Sequence, residues 1–104
     1  MFAKDVRNFT KLIPKNLSNF EYVKQLIRSS GSVGANYIEA NESLSKKDFI
    51  MRVKICRKEI KESRYWLRLI ELDDGMGNED KKDNLINEST EIMKIFGAIL
   101  EKCK

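Results

Sequence analysis

The sequence predicts an all-α protein, an antiparallel up-and-down four-helix bundle with a short first helix. Three observations predict it. Apolar residues recur at spacings of 3 and 4 through four segments, the period of a helix with one buried face. The connectors between segments are short and carry Pro14, or Gly75 and Gly77, which favour turns. Composition agrees: 35% of the 104 residues are charged and 41% hydrophobic, the balance of a soluble globular chain of one domain, residues 1–104.

The first helix spans Phe2 to Ile13, with Phe2, Val6, Phe9 and Ile13 on one stripe. Pro14 disfavours helical geometry at the residue before it and ends the segment. Lys15 to Leu17 is a connector. Ser18 and Glu21 form a capping box that starts helix two, which runs from Asn19 to Asn41 or a little beyond. Its apolar stripe is Val23, Leu26, Ile27, Val33, Tyr37, Ile38 and Leu44. The middle, SSGSVGA at 29–35, is unusual for a helix, because Gly31 and Gly34 each cost roughly 1 kcal/mol against Ala. A strand and turn compete there. The helix is favoured because the 3–4 spacing continues unshifted, and small residues would admit a neighbouring helix closely. Beside the apolar stripe runs a polar one: Gln25, Ser29, Ser32, Asn36 and Glu39. It reads as a hydrogen-bonded seam between helices, since buried polar groups need partners, or alternatively as a polar site.

Ser45 caps helix three, with Asp48 in its first turn, and the helix ends near Leu72 at the turn DDGMGNE. Asn78 is placed to cap helix four, whose start carries Glu79, Asp80 and Asp83, suited to a positive helix end. Leu85, Ser89, Ile92, Phe96, Ile99 and Cys103 make its stripe, widened by Ile86, Met93 and Leu100.

Helix three divides into three arcs. Phe49, Val53, Cys56, Ile60, Ser63, Leu67 and Ile70 face the core. Lys54, Arg57, Lys58, Lys61, Arg64, Tyr65 and Arg68 share a second arc with no acid in it. Met51, Ile55, Trp66 and Leu69 share a third, interrupted by Glu59 and Glu62. An apolar arc that four helices cannot cover marks an interaction site, here an oligomer interface to which Phe20 and Tyr22 could add. The alternative is that helix one covers it.

Charge follows the same division. Residues 46–68 carry nine cations and three anions, net +6, whereas residues 69–104 carry five cations and nine anions, net −4. A local basic strip attracts phosphates even in a chain of net +4. The bland alternative is a solvated lysine-rich face.

Little points to catalysis. There is no histidine, which removes the commonest general base and metal ligand, and no Cys-x-x-Cys pair for zinc. Cys56 and Cys103 read as small core hydrophobes in a reducing compartment. Glu59 and Glu62 read as an ion pair with Arg28 or Arg52 rather than as an acid–base pair. Gly31 and Gly34 have the G-x-x-G spacing of a KH loop but lack that module's strands. No membrane span or secretory signal is visible, and no metal or cofactor is expected.

The run QLIRSSGSVGAN at 25–36, then Glu39-Ala40, SKKDF at 45–49, Lys58-Glu59, Glu62 and Tyr65-Trp66-Leu67 resembles the four-helix-bundle proteins of the 23S rRNA intervening-sequence family. The resemblance extends over nearly the whole chain. That family is similar in fold to the accessory variability proteins of diversity-generating retroelements. The resemblance implies a ring-like homopentamer. For the retroelement relatives it also implies a basic surface that binds nucleic acid and a reverse transcriptase. The family's Asn, Glu and Lys-Glu positions fall on Asn36, Glu39, Lys58 and Glu59; Tyr37-Ile38 and Cys56-Arg57 depart from its pattern.

The expectation is therefore a cytoplasmic, non-enzymatic homo-oligomer that binds RNA or DNA. Lys54, Arg57, Lys58, Lys61, Arg64 and Arg68 would contact phosphates, with Tyr65 to stack on a base. Met51, Ile55, Glu59, Glu62, Trp66 and Leu69 would form the oligomer interface. The alternative is a protein-interaction scaffold, for instance a partner of a reverse transcriptase or another nucleic-acid enzyme.

Overall fold

The computed structural model describes residues 1–73 and 77–104, and they form four α-helices in chain order: α1 (Phe2–Thr10), α2 (Leu17–Asn41), α3 (Lys46–Leu69) and α4 (Glu79–Lys102). No strand occurs among the described residues, so the 29–35 segment is helical and the strand-and-turn reading fails. Three residues of the expected turn after Leu72, 74–76, lie outside the described residues. Gly77 after it adopts a φ of 71°, which glycine accepts without strain.

Helices α2 and α3 pack along each other, α4 packs on α3, and α1 packs on α2 and α4. Among the described residues the backbones of α1 and α3 are not neighbours, nor are those of α2 and α4. The four helices therefore sit at the corners of a square, with α1 diagonal to α3 and α2 diagonal to α4. The bundle measures 49 × 20 × 19 Å. At 1.5 Å per residue α2 is about 37 Å long and α1 about 13 Å. A short connector returns α1 antiparallel to the start of α2, and α1 meets the first half of α4, where Asp5 and Phe9 share a cleft with Leu85 and Glu88. The second halves of α2 and α4 have no fourth helix over them.

Local chemistry explains the boundaries, some of which differ from expectation. α1 stops at Thr10 rather than Ile13, because Lys11, Leu12 and Ile13 donate to carbonyls three residues back and tighten the last turn before Pro14. Ile13 is still buried. The cap of α2 is Asn16, not a Ser18–Glu21 box: extended Asn16 accepts the amide of Asn19 at 2.8 Å. Ser45 caps α3 as expected, accepting from Asp48 at 3.1 Å. Asn78 takes the cap position of α4, but its side chain makes no capping bond. α3 ends three residues early because Asn19 holds the chain extended beyond it. The Asn19 Nδ2 donates to the carbonyls of Glu71 (2.8 Å) and Pro14 (3.0 Å), and its Oδ1 accepts the Glu71 amide at 3.0 Å. Lys82 adds a 2.7 Å bond to the Ile70 carbonyl.

The core is Phe2, Val6, Phe9 and Ile13 from the first segment, Leu26, Val33 and Ala40 from α2, Val53, Cys56, Ile60, Leu67 and Ile70, and Leu85, Phe96 and Leu100 from α4. Of the seven residues in the stripe assigned to helix two, only Leu26 and Val33 are in it, with Val23 packed against it. Ile27, Tyr37, Ile38 and Leu44 are exposed, and α2 buries Ser29, Ser30 and Asn19 instead. The polar seam is real. Ser29 and Ser63 hydroxyls meet at 2.9 Å between α2 and α3, Ser63 donates to the Glu59 carbonyl at 3.0 Å, and Arg52 donates to Asn36 Oδ1 at 3.0 Å. Small hydroxyls at the contact bring the two backbones close, and both serine hydroxyls find partners there. Gln25 reaches only Arg28, and Glu39 is exposed.

Candidate nucleic-acid interface

With α2 on one side of α3 and α4 on the other, the remaining face of α3 looks outward. Lys54, Lys58, Lys61, Tyr65 and Arg68 are exposed on it, as the basic arc required. Two members of the arc are half-buried on the α4 side. Arg64 donates to Thr90 Oγ1 at 3.2 Å, and Arg57 lines a cleft of about 270 Å³ with Leu100, Glu101 and Lys104. Arg64 is thereby tethered to α4, whereas Arg57 makes no side-chain hydrogen bond or ion pair among the described residues.

The sequence reading missed the upper end of the strip. Lys47 is exposed one heptad before Lys54 on the same face. With Lys46, Lys54 and Lys58 it lines an open depression of about 700 Å³ that also holds Ile50, Met51 and Ile55 and a single acid, Asp48. The heptad spacing was the available signal. From Lys47 to Arg68 the strip runs about 32 Å along one straight helix.

Both acids beyond the first turn of α3 are drawn to the α2 side. Arg28 reaches Glu62 at 3.1 Å and Glu59 at 3.6 Å. The outward face is thus left without a counter-charge. Glu59 is 7% exposed, and its Oε2 has no hydrogen-bond donor among the described residues. Burial pushes its pKa up and the Glu62 charge adds to that, against the pull of Arg28 and Lys58.

Tyr65 stands at the lower end of the strip with its ring half in solvent. It meets Trp66 edge-on, centroids 5.1 Å apart at 67°, and Trp66 stacks on Tyr22 of α2 at 6.1 Å and 28°. The Tyr65 ring is held by this stack while its outer face stays open, the disposition a base would need.

The expected oligomer band does not form an open apolar patch. Only Met51 is exposed; Ile55, Glu62, Trp66 and Leu69 are half-buried and Glu59 is buried. The cause is α2, which lays Tyr22 over Trp66 and Arg28 over the two acids. Helix one, offered as the alternative cover, lies on the opposite corner. Phe20 is exposed, but on α2. Cys56 is buried and Cys103 half-buried, both as free thiols. Among the described residues, no group of three or more His, Cys, Asp or Glu is placed to hold a metal ion, and no helix is long and apolar enough to cross a membrane.

Comparison with known proteins bears on this arrangement. A family model described as 23S rRNA-intervening sequence protein matches residues 1–98. The chain belongs to this family. A crystal structure of a protein of unknown function from the S23 ribosomal protein family of Bacteroides thetaiotaomicron VPI-5482 is also similar. It shares 35% identity and superposes with a TM-score of 0.80 over 95% of this chain and 91% of that chain. No curated protein matches the chain. The family expectation, drawn over nearly the whole chain, is borne out over residues 1–98, and the fold has a counterpart in a solved structure of a family relative.

Proposed function

We propose that this family member is a non-enzymatic, self-associating bundle that binds RNA or DNA through phosphate contacts from the outward face of α3. It would act in the cytoplasm. One observation carries the reading: an exposed, acid-free strip of Lys47, Lys54, Lys58, Lys61 and Arg68 about 32 Å long, with Tyr65 beside it. Lysines on flexible stems neutralise phosphates without reading sequence, so binding is weakly selective and steeply salt-dependent. Tyr65 supplies a stacking surface for an unpaired base. A ring of copies, the homopentamer that the resemblance implies, would repeat the strip and multiply the electrostatic attraction.

A second reading rests on the depression among Lys47, Lys54 and Lys58. Its apolar floor of Ile50, Met51 and Ile55 suits an acidic partner protein carrying an apolar side chain, such as a nucleic-acid enzyme.

The test is fluorescence anisotropy with labelled structured RNA and duplex DNA. Five phosphate contacts predict a loss of roughly five-hundredfold in affinity for a duplex between about 50 and 200 mM salt. Replacing Lys58, Lys61 and Arg68 together by Glu should abolish binding while leaving the helical CD spectrum intact, because all three side chains are exposed. Binding that survives this change would place the site elsewhere. If no nucleic acid binds even at low salt, the acidic-partner reading takes over.

A further inference from the structure

Among the described residues, the outward face of α2 and the turn beyond it carry several large exposed apolar side chains. Phe20 is 69% exposed, Ile27 47%, Ile38 64%, and Leu44 just beyond the helix 100%. Phe20, Ile27, Gly31, Gly34 and Ile38 follow at spacings of 7, 4, 3 and 4, one continuous stripe on a helix. α1 is too short to reach the upper half of this stripe, and α3 lies round the corner from it.

The two glycines sit in the middle of the stripe. A Cβ built on either would meet nothing within 4 Å. Within one chain they serve no close approach, although they weaken the helix. The stripe also reads the same in both directions about a point between Ser32 and Val33. Gly31 and Gly34 lie equally far from that point, and so do Ile27 and Ile38.

A surface that is its own complement under reversal fits a second copy of itself. We propose that α2 of one chain packs antiparallel on α2 of a second copy, about a two-fold axis passing between Gly31 and Gly34. The glycines of each chain let the two backbones approach more closely than the usual 8–10 Å of packed helices. Ile27 faces Ile38 of the partner subunit, and the reverse contact repeats it. Phe20 reaches the neighbourhood of Leu44 of the partner subunit, so both of these exposed side chains are covered. Lys24, exposed at the rim, comes opposite Asn41 and Glu42 of the partner subunit, which matches charge. The overlap runs over α2 residues 24–41, about 27 Å of helix.

This contact goes beyond the ring. A closed ring of five is built from head-to-tail contacts between two different patches, whereas the α2 seam joins one patch to itself. It pairs two chains or two rings, and it does not depend on the basic strip of α3.

Sedimentation velocity or light scattering of the full chain over a range of concentrations tests it. Ile27→Lys alone and Ile38→Glu alone should each weaken the pairing at least tenfold and halve the assembled mass, whatever the ring number. In a chain carrying both substitutions, each new lysine faces a glutamate across the axis, and the mass should recover. In the Ile27→Lys background, Gly31→Ala with Gly34→Ala should raise the melting midpoint by several degrees, because the new methyl groups meet open space. In the otherwise unaltered chain the same pair should weaken association. A chain that stays monomeric at all concentrations, an assembly untouched by either single substitution, or a double variant that fails to recover would overturn the seam.

Discussion

Glu59 is the side chain whose chemistry and position are most at odds. It is buried in the α2–α3 seam, with one guanidinium, Arg28, shared between it and Glu62. Burial raises its pKa first and the Glu62 charge second. A raised carboxyl pKa means that the folded chain holds this proton more tightly than the unfolded chain does. The resulting stability is fully present below the ordinary glutamate range and is lost as pH rises through the raised folded value. At neutral pH the charged carboxylate is therefore a cost. Glu59→Gln keeps the shape and leaves Arg28 with Glu62. Its melting midpoint should exceed the parent's at pH 7, and the gap should close as pH falls toward about 4. A variant less stable than the parent at neutral pH would mean that the Arg28 contact outweighs burial. Cys56, by contrast, needs no such balance. Burial pushes its thiol up, and it donates to the Val33 carbonyl at 3.5 Å, the behaviour of the small hydrophobe its position in the stripe implies.

At the scale of the element, the four helix starts are unequal in how they satisfy their first amides. Asn16 and Ser45 each accept an amide three residues on, whereas Asn78 accepts none. Removing a cap that makes its bond costs typically about 1 kcal/mol. Asn16→Ala and Ser45→Ala should each cost about that in chemical denaturation. Asn78→Ala should fall within roughly 0.5 kcal/mol of the parent, as a surface change does. A large loss at Asn78 would show a capping bond formed in solution. The same contrast marks what the sequence could and could not convey. Helix number and order were legible because a 3–4 spacing admits no other regular structure. The basic arc was legible because six cations grouped on one arc cannot enter an apolar core, although nothing in the spacing told that Arg57 and Arg64 would lie half-buried against α4. Periodicity does not say which neighbour a stripe meets, however. Ile27 and Ile38 kept the spacing of a core stripe, yet α3 settles on the Ser29 side of α2, where small hydroxyls permit a closer contact than isoleucine would. The length of α1 hid the other half of the answer. Three residues of apparent helix at 11–13 turn out to be a tightened turn, and α2 and α4 lose their cover accordingly.

For the whole molecule, what matters is where charge stands rather than how much there is. The net charge of +4 is small, and nine acids beyond Leu69 offset part of the basic helix. A phosphate backbone would respond instead to the cations that are both exposed and unpaired, and the fold sorts the basic arc on that criterion. Lys61 is exposed and makes no ion pair or hydrogen bond among the described residues, while Arg64 is half-buried and bonded to Thr90 on α4. The two lie three residues apart and look equivalent in the sequence. They should separate in solution. Lys61→Gln should reduce the slope of log affinity against log salt by about 1 and leave the melting midpoint where it was. Arg64→Gln should lower the midpoint by breaking the α3–α4 bond, and should change the slope by less. Equal slope changes from both would show that Arg64 leaves Thr90 for the phosphate. The strip would then be wider than the free chain displays, extending across α3 toward α4. A slope untouched by Lys61→Gln would remove this lysine from the contact altogether and shift the footprint toward Lys47, Lys54 and Lys58, around the apolar depression.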